Sequence, residues 1–178
     1  TTLGSLMIRL QDVVKTFGEH VVLDHLDLHI QKGKITFILG KSGEGKSVAI
    51  KHMLGLLRPE QGQIWIDGVD ITQLEQEGLR QLRKKFGMLF QQAALFDSMT
   101  VLDNVLFPLR EQATLSWKDM EARALEVLEK IGALLLKDKF PSALSTGEKK
   151  QVGLARALAA KPKIILYDEP TTGMDPLV

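Results

Sequence analysis

The sequence predicts an α/β protein with a parallel-sheet core, an antiparallel β layer ahead of it and a helical insertion behind. Three observations carry that prediction. Two N-terminal stretches alternate apolar and polar residues, as half-buried strands do. Two separate runs, ITFILG at Ile35–Gly40 and KIILY at Lys163–Tyr167, are apolar without a break, as strands covered on both faces are. Most of the chain between them follows the helical repeat instead.

Each element has its own justification. LMIRLQDVV (Leu6–Val14) and VVLDHLDLHI (Val21–Ile30) alternate and are separated by the turn-prone Gly18-Glu19, which predicts an antiparallel pair. QKGK leads into the apolar run at Ile35–Gly40. KSVAIKHMLGLL reads as a helix that stops before Arg58-Pro59. QIWIDGVDI reads as an exposed hairpin turning at Asp67-Gly68. GLRQLRKK is helical and feeds a short strand, FGMLF (Phe86–Phe90). SWKDMEARALEVLEKIG opens on a capping-box spacing, Ser116 with Asp119, and Trp117, Met120, Ala124, Leu128 and Ile131 mark one face. A last helix runs from about Thr146 to Ala160, before Lys161-Pro162. The helical insertion thus extends from about Gln91 to Ala160.

Composition narrows the function. The 178 residues carry a net charge of +1, which supplies no general pull toward nucleic acid or anionic membrane. The basic run Arg83-Lys84-Lys85 therefore reads as a solvated helix face. With no cysteine there is neither a disulfide nor a thiolate metal site. His25 and His29 fall four apart on one strand, but no third ligand follows in a metal-site pattern. No apolar run reaches the ~20 residues that span a bilayer. The opening TTLGSLMIRL lacks the charged and apolar regions of a secretory signal.

The chemistry begins at GKSGEGKS, Gly40 to Ser47, which matches G-x-x-x-x-G-K-[ST] between an expected strand and an expected helix. Glycines let such a loop curl until its N–H groups face a phosphate, helped by the positive end of the helix that follows. Gly40, Ser42, Gly43, Gly45, Lys46, Ser47 and Val48 are the candidate nucleotide-binding residues. Lys46 is expected at the β- and γ-phosphates and the Ser47 hydroxyl on Mg²⁺. Glu44 is out of place among phosphate-facing amides, and its side chain is expected to point outward into solvent. A phosphate loop also needs a metal-anchoring carboxylate at the end of a nearby strand, and KIILYDE supplies Asp168 for Mg²⁺. Glu169 is expected to be the general base that activates the attacking water.

The segment between these motifs decides among phosphate-loop proteins. LSTGEKKQVGLARAL (Leu144–Leu158) resembles the signature motif of ABC-type ATPases, usually L-S-G-G-Q. The order of phosphate loop, signature and Asp-Glu strand is also that family's, as is the closing TTGMD. The resemblance covers essentially the whole chain. It implies a P-loop ATPase fold in one domain, 1–178. Within it, 1–90 form the nucleotide-binding α/β core with its antiparallel layer, 91–160 the helical subdomain with the signature, and 161–178 the return to the core.

The resemblance also implies ATP and Mg²⁺ as cofactors. Gln91 becomes the residue that senses Mg²⁺ and the attacking water, acting in hydrolysis beside Glu169 and Lys46. Phe17 becomes the aromatic that stacks on adenine, and Asp175 falls in the loop through which two subunits sense each other. Family members pair head-to-tail, so Ser145 and the Gly147 backbone are expected on the γ-phosphate held by the second subunit. Thr146 and Glu148 depart from the usual glycine and glutamine, which predicts a weakened contact there. Ser145 with Glu148 is also a capping box, and both readings are compatible.

QQAALFDSMTVLDNVLFPLRE (Gln91–Glu111) resembles subunits that energise lipid transport with Mce-type lipid-binding proteins, including systems that maintain outer-membrane lipid asymmetry; amino-acid importers carry similar stretches. The implied partners are a second ATPase subunit, transmembrane permease subunits and an Mce-type protein, with no nucleic acid. The implied location is the cytoplasmic face of the inner membrane. Leu95, Phe96, Met99 and Val101 suit either a docking surface for the permease or ordinary core packing. An ABC-type ATPase acting without a membrane partner is the alternative; a short insertion and a single phosphate loop favour the transporter. Family members continue past the loop at Asp175 with a strand, a γ-phosphate histidine and further helices. The resemblance thus implies a chain truncated after that loop, its C-terminal part missing, with weak or absent hydrolysis by these residues alone.

Overall fold

The structure, a computed structural model, describes residues 6–41, 43–89, 93–112 and 115–167. The chain forms two compact units, Thr1–Arg83 and Lys84–Val178. In the first, β1 (Leu6–Phe17) pairs antiparallel with β2 (His20–Gln31) on one side and β3 (Gln61–Ile66) on the other; β4 (Val69–Asp70) closes the sheet in the order β2-β1-β3-β4. Ile8 pairs with Ile30 and Ile66, and Leu10 with Leu28 and Ile64, so the apolar sides of β1 and β3 bury together. The expected alternation breaks at Asp12. There the register shifts, Asp12 takes a φ of 52° opposite His25 at 48°, and both Leu10 and Val13 end up buried although three positions apart. The same bulge sets His25 Nδ1 2.6 Å from Asp12 Oδ1.

Between the strands lie α1 (Lys46–Met53) and, after the β3–β4 hairpin, α2 (Gln76–Arg83). The hairpin turns at Asp67 and Gly68, with φ of 50° and 80°, as the sequence predicts. Helix α1 is shorter than its apolar run. Gly55 adopts a φ of 62°, its N–H donates to the His52 carbonyl at 3.0 Å and that of Leu56 to Lys51 at 2.9 Å, which ends the helix four residues before Arg58-Pro59 comes into play. Arg83 of α2 then donates to the Leu54 and Gly55 carbonyls, both at 3.0 Å, and fixes that end.

The run Ile35–Gly40 is not a strand. No described strand pairs with it, and Ile35, Phe37 and Leu39 are 86%, 80% and 89% exposed. A doubly covered strand needs hydrogen-bonding neighbours on both edges. The apolar pattern records that need, and without those neighbours among the described residues the backbone stays irregular.

The second unit begins with β5 (Phe86–Leu89), passes through α3 (Val101–Gln112), α4 (Trp117–Lys130) and α5 (Thr146–Ala159), and returns in β6 (Ile164–Tyr167). β5 and β6 are parallel, Leu89 opposite Tyr167, which is the parallel element the sequence predicts. Val105, Leu106, Leu109, Leu128, Val152 and Ala155 form the core beneath the three helices. Ser116 caps α4 by accepting the Asp119 N–H at 3.2 Å. Ala124 and Leu128 are buried as expected, whereas Trp117, at the first position of α4, stays 53% exposed with the Arg110 guanidinium 4.9 Å over its ring.

Candidate functional site

The phosphate loop opens after residue 39 and closes into α1. Gly45 immediately precedes the helix in a left-handed conformation, φ 87°, and a Cβ there would lie 2.9 Å from the Val22 carbonyl oxygen and 3.0 Å from a Leu23 methyl. Only glycine lets the loop turn that sharply while pressed against β2. Lys46 folds back over the loop, its Nζ donating to the carbonyls of Gly40 at 2.7 Å and Lys41 at 2.6 Å. One ammonium thus ties the entry of the loop to its exit. No side chain caps the first turn of α1, and that turn holds no acidic residue. The amides of that turn and the Lys46 ammonium are donors of the kind that fits a polyphosphate, and the carboxylate of the loop, Glu44, is bound to the Lys41 N–H. Ser47 is exposed at the second helical position.

Glu44 behaves differently from the expectation. It is exposed, yet its carboxylate does not project into solvent: Oε2 accepts the Lys41 N–H at 2.7 Å, while the Glu44 N–H donates to the Lys41 carbonyl at 3.3 Å. An amide otherwise unpaired within reach of a carboxylate captures it. Phe17, at the end of β1, is 48% exposed, with Lys15 Nζ over its ring 5.4 Å from the centre.

In the second unit Ser145 caps α5. Its hydroxyl accepts the Glu148 N–H at 3.2 Å, and Glu148 Oε2 accepts the Ser145 N–H at 2.7 Å, a complete capping box. Bonding to the carboxylate from the Ser145 N–H, and after it from the Ser145 hydroxyl, holds the Glu148 carboxyl below its ordinary pKa. Ser145 and Gly147 are both exposed, and nothing lies within 4 Å of where a Gly147 side chain would stand. The helix start is therefore open to an anion.

Because β5 and β6 run the same way in register, the chain leaves both at the same end of the sheet, where α/β proteins place their ligands. Gln91 follows Leu89 by two residues and Asp168 follows Tyr167 directly. Ser42, Gln91, Asp168, Glu169 and Asp175 themselves lie outside the described residues. Of the apolar docking set, Phe96 is exposed, Leu95 and Met99 are half-buried, and Val101 belongs to the core, since it opens α3 and packs inward.

Sequence reasoning passed over Arg156. Its Nη1 donates to the Ala94 carbonyl at 2.7 Å and its Nη2 to Ala93 at 2.6 Å, and burial pulls its pKa below the ordinary value. The available signal was a lone guanidinium amid GLARALAA, where small apolar neighbours leave a charge no route to solvent along the helix. It also passed over Asn104, fully buried, whose amide bonds the Phe96 N–H and carbonyl at 2.9 and 3.1 Å.

The sequence pattern of the ABC transporter family matches residues 23–172. A methionine import ATP-binding protein, MetN, of Carboxydothermus hydrogenoformans is 47% identical over 154 residues, 86% of this chain and 45% of that protein. The intermembrane phospholipid transport ATP-binding protein MlaF of Haemophilus influenzae is 42% identical over 171 residues, 96% of this chain and 65% of that protein. Among solved structures, the dimeric post-hydrolysis state of the ATP-binding cassette MJ0796, bound to ADP and Pi, is 34% identical with a TM-score of 0.86, covering 96% of this chain and 77% of that one. The chain spans about half the length of several of the curated relatives it matches.

Proposed function

Since this chain belongs to the ABC transporter family, we propose that it carries the ATP-binding half-site of a subunit that hydrolyses ATP to drive transport across a membrane. The observation that carries this reading is the loop at Gly40–Ser47, where Lys46 bridges the loop and the start of α1 carries neither a side-chain cap nor an acidic residue of its own. Phe17 stacks on the adenine. The amides from Gly43 to Val48 and the Lys46 ammonium bind the β- and γ-phosphates, and Ser42 borders them. Ser47, Asp168 and Gln91 would hold Mg²⁺, which neutralises charge developing on the phosphates. Glu169 takes the proton of the attacking water, a contribution of roughly 10²–10⁴ in rate.

Ser145 and Gly147 serve the γ-phosphate held by a second copy arranged head-to-tail. The similarity to a cassette described as dimeric supports that pairing. Permease subunits are the further partners, and the chain acts from the cytoplasmic face of the inner membrane; no helix among the described residues is long and apolar enough to cross one. We assign phospholipid as the cargo, with an Mce-type lipid-binding protein as the accessory. The support is the match to MlaF, which takes in 96% of this chain. The match to MetN favours a second reading, amino-acid import.

The test is steady-state hydrolysis by the full-length protein. The wild type releases phosphate from Mg-ATP and Glu169→Gln loses at least about 10²-fold in kcat while still binding ATP. Unchanged turnover in Glu169→Gln would contradict the assignment. Uptake of labelled methionine against movement of labelled phospholipid, in cells lacking the gene, separates the two cargoes.

A further inference from the structure

The turn that follows Gln91 has no regular secondary structure to hold it. Ala93 and Ala94 both adopt left-handed backbone, φ 59° and 46°. Two successive non-glycine residues keep such a conformation only where their surroundings impose it. Two side chains from neighbouring helices hold the segment, Arg156 at Ala93 and Ala94 and Asn104 from Phe96 onward. Arg156 of α5 spends its fork on the Ala93 and Ala94 carbonyls, at 2.6 and 2.7 Å, with its guanidinium carbon 5.9 Å from the centre of the Phe96 ring. Asn104 of α3, fully buried, bonds the Phe96 N–H and carbonyl and also the Met99 and Thr100 carbonyls at 3.2 and 3.0 Å.

Packing reinforces the clasp. Ala93 is fully buried, and a Cβ on Gly153, one turn before Arg156, would stand 3.0 Å from the Ala93 methyl. The turn is therefore pressed flat on α5. A half-buried guanidinium satisfied by main-chain carbonyls fixes geometry, because two N–H bonds from one planar fork define both distance and direction. The same helix starts at the exposed capping box of Ser145, and Thr146 and Arg156 lie about 15 Å apart along its axis.

We propose that Arg156 is a positioning residue for hydrolysis: it locks the Ala93–Ala94 turn to α5 and so anchors the chain segment that carries Gln91. The proposal rests on the reading of Gln91 given above. Arg156 touches no nucleotide, so its loss acts on turnover and metal dependence, not on ATP binding. Lysine keeps the charge but not the fork, and restores the function only in part.

The experiment compares full-length wild type, Gln91→Ala, Arg156→Gln, Arg156→Lys and the double variant Gln91→Ala/Arg156→Gln. ATP affinity, kcat, the Mg²⁺ concentration for half-maximal activity and the melting temperature are read for each. Expected for Arg156→Gln are an ATP Kd within about twofold of wild type, a kcat lower by on the order of ten- to a hundred-fold, and a higher half-maximal Mg²⁺. The double variant is expected to be no slower than Gln91→Ala alone, because the two act through one point. Multiplying losses in the double variant would overturn the proposal. So would a fall in activity matched by a fall in folded fraction with Mg²⁺ dependence unchanged; should Arg156→Gln not fold, the same comparison is made with Arg156→Lys. Full turnover in Gln91→Ala would remove the glutamine's role and this proposal with it, leaving the ATPase reading intact. Absent turnover in the wild type would instead strike at that reading.

Discussion

His52 sits on α1, fully buried, its Nδ1 donating to the Val48 carbonyl at 2.8 Å and its Nε2 without a hydrogen-bond partner among the described residues. Burial, the larger influence, pulls its pKa below the usual 6.5, while the Val48 bond works the other way. The unfolded chain binds a proton near pH 6.5 that the folded one refuses, so this group's contribution to stability is lost as pH falls below 6.5 toward the depressed value. His25, raised by the Asp12 carboxylate, has the opposite sign: its contribution is present below the unfolded pKa and lost as pH rises. Wild type and His52→Leu should therefore be compared at pH 7.5 and 5.5. The stability of the wild type relative to the variant is expected to drop at the lower pH, by at most about 1.4 kcal/mol per pH unit. At Gly45 the constraint is steric. Gly45→Ala places a methyl 2.9 Å from the Val22 oxygen at a φ of 87°, and is expected to cost at least about 1–2 kcal/mol in denaturant unfolding and to weaken ATP binding.

At the scale of elements, α5 joins a capped start to a buried body. Its start is held by the reciprocal Ser145–Glu148 bonds, and its body by Val152 and Ala155 in the core. Ser145→Ala removes the acceptor for the Glu148 N–H and is expected to cost about 1 kcal/mol, a drop of about 2–4 °C in melting temperature. The same change should slow hydrolysis by the dimer while ATP binding through Lys46 stays unchanged, which nucleotide titration beside a phosphate-release assay will read. Most elements were legible because their signals are local. The Gly18-Glu19 turn, the Asp67-Gly68 hairpin and the Ser116 and Ser145 caps each depend on neighbours within a few residues. The failures were of two other kinds. The end of α1 turned on Gly55 outweighing the apolar run around it, and the strand at Ile35–Gly40 required pairing partners that a local pattern does not contain.

The molecule as a whole shows the same division. The phosphate loop could be read because its motif and the glycines that shape it are contiguous. Glu44 was misjudged because repulsion from an absent phosphate was weighed and attraction to the Lys41 N–H, at 2.7 Å, was not. The sequence leaves Val101 between a docking surface and core packing, since exposure depends on which way α3 faces, and the structure places it in the core. Arg156 and Asn104 stayed hidden for a related reason: each acts on backbone groups, and Arg156 reaches carbonyls 62 and 63 positions away, beyond any local pattern. The central claim remains the one carried by contiguous residues, that the loop tied by Lys46 binds the phosphates of ATP. It is tested most directly by thermal unfolding of the full-length protein with and without Mg-ATP, beside Lys46→Ala. At roughly 100 times its dissociation constant, ATP should stabilise the wild type by about 2.7 kcal/mol, a rise of several degrees, and leave Lys46→Ala unmoved. An equal rise in both proteins, or none in either, would contradict the account.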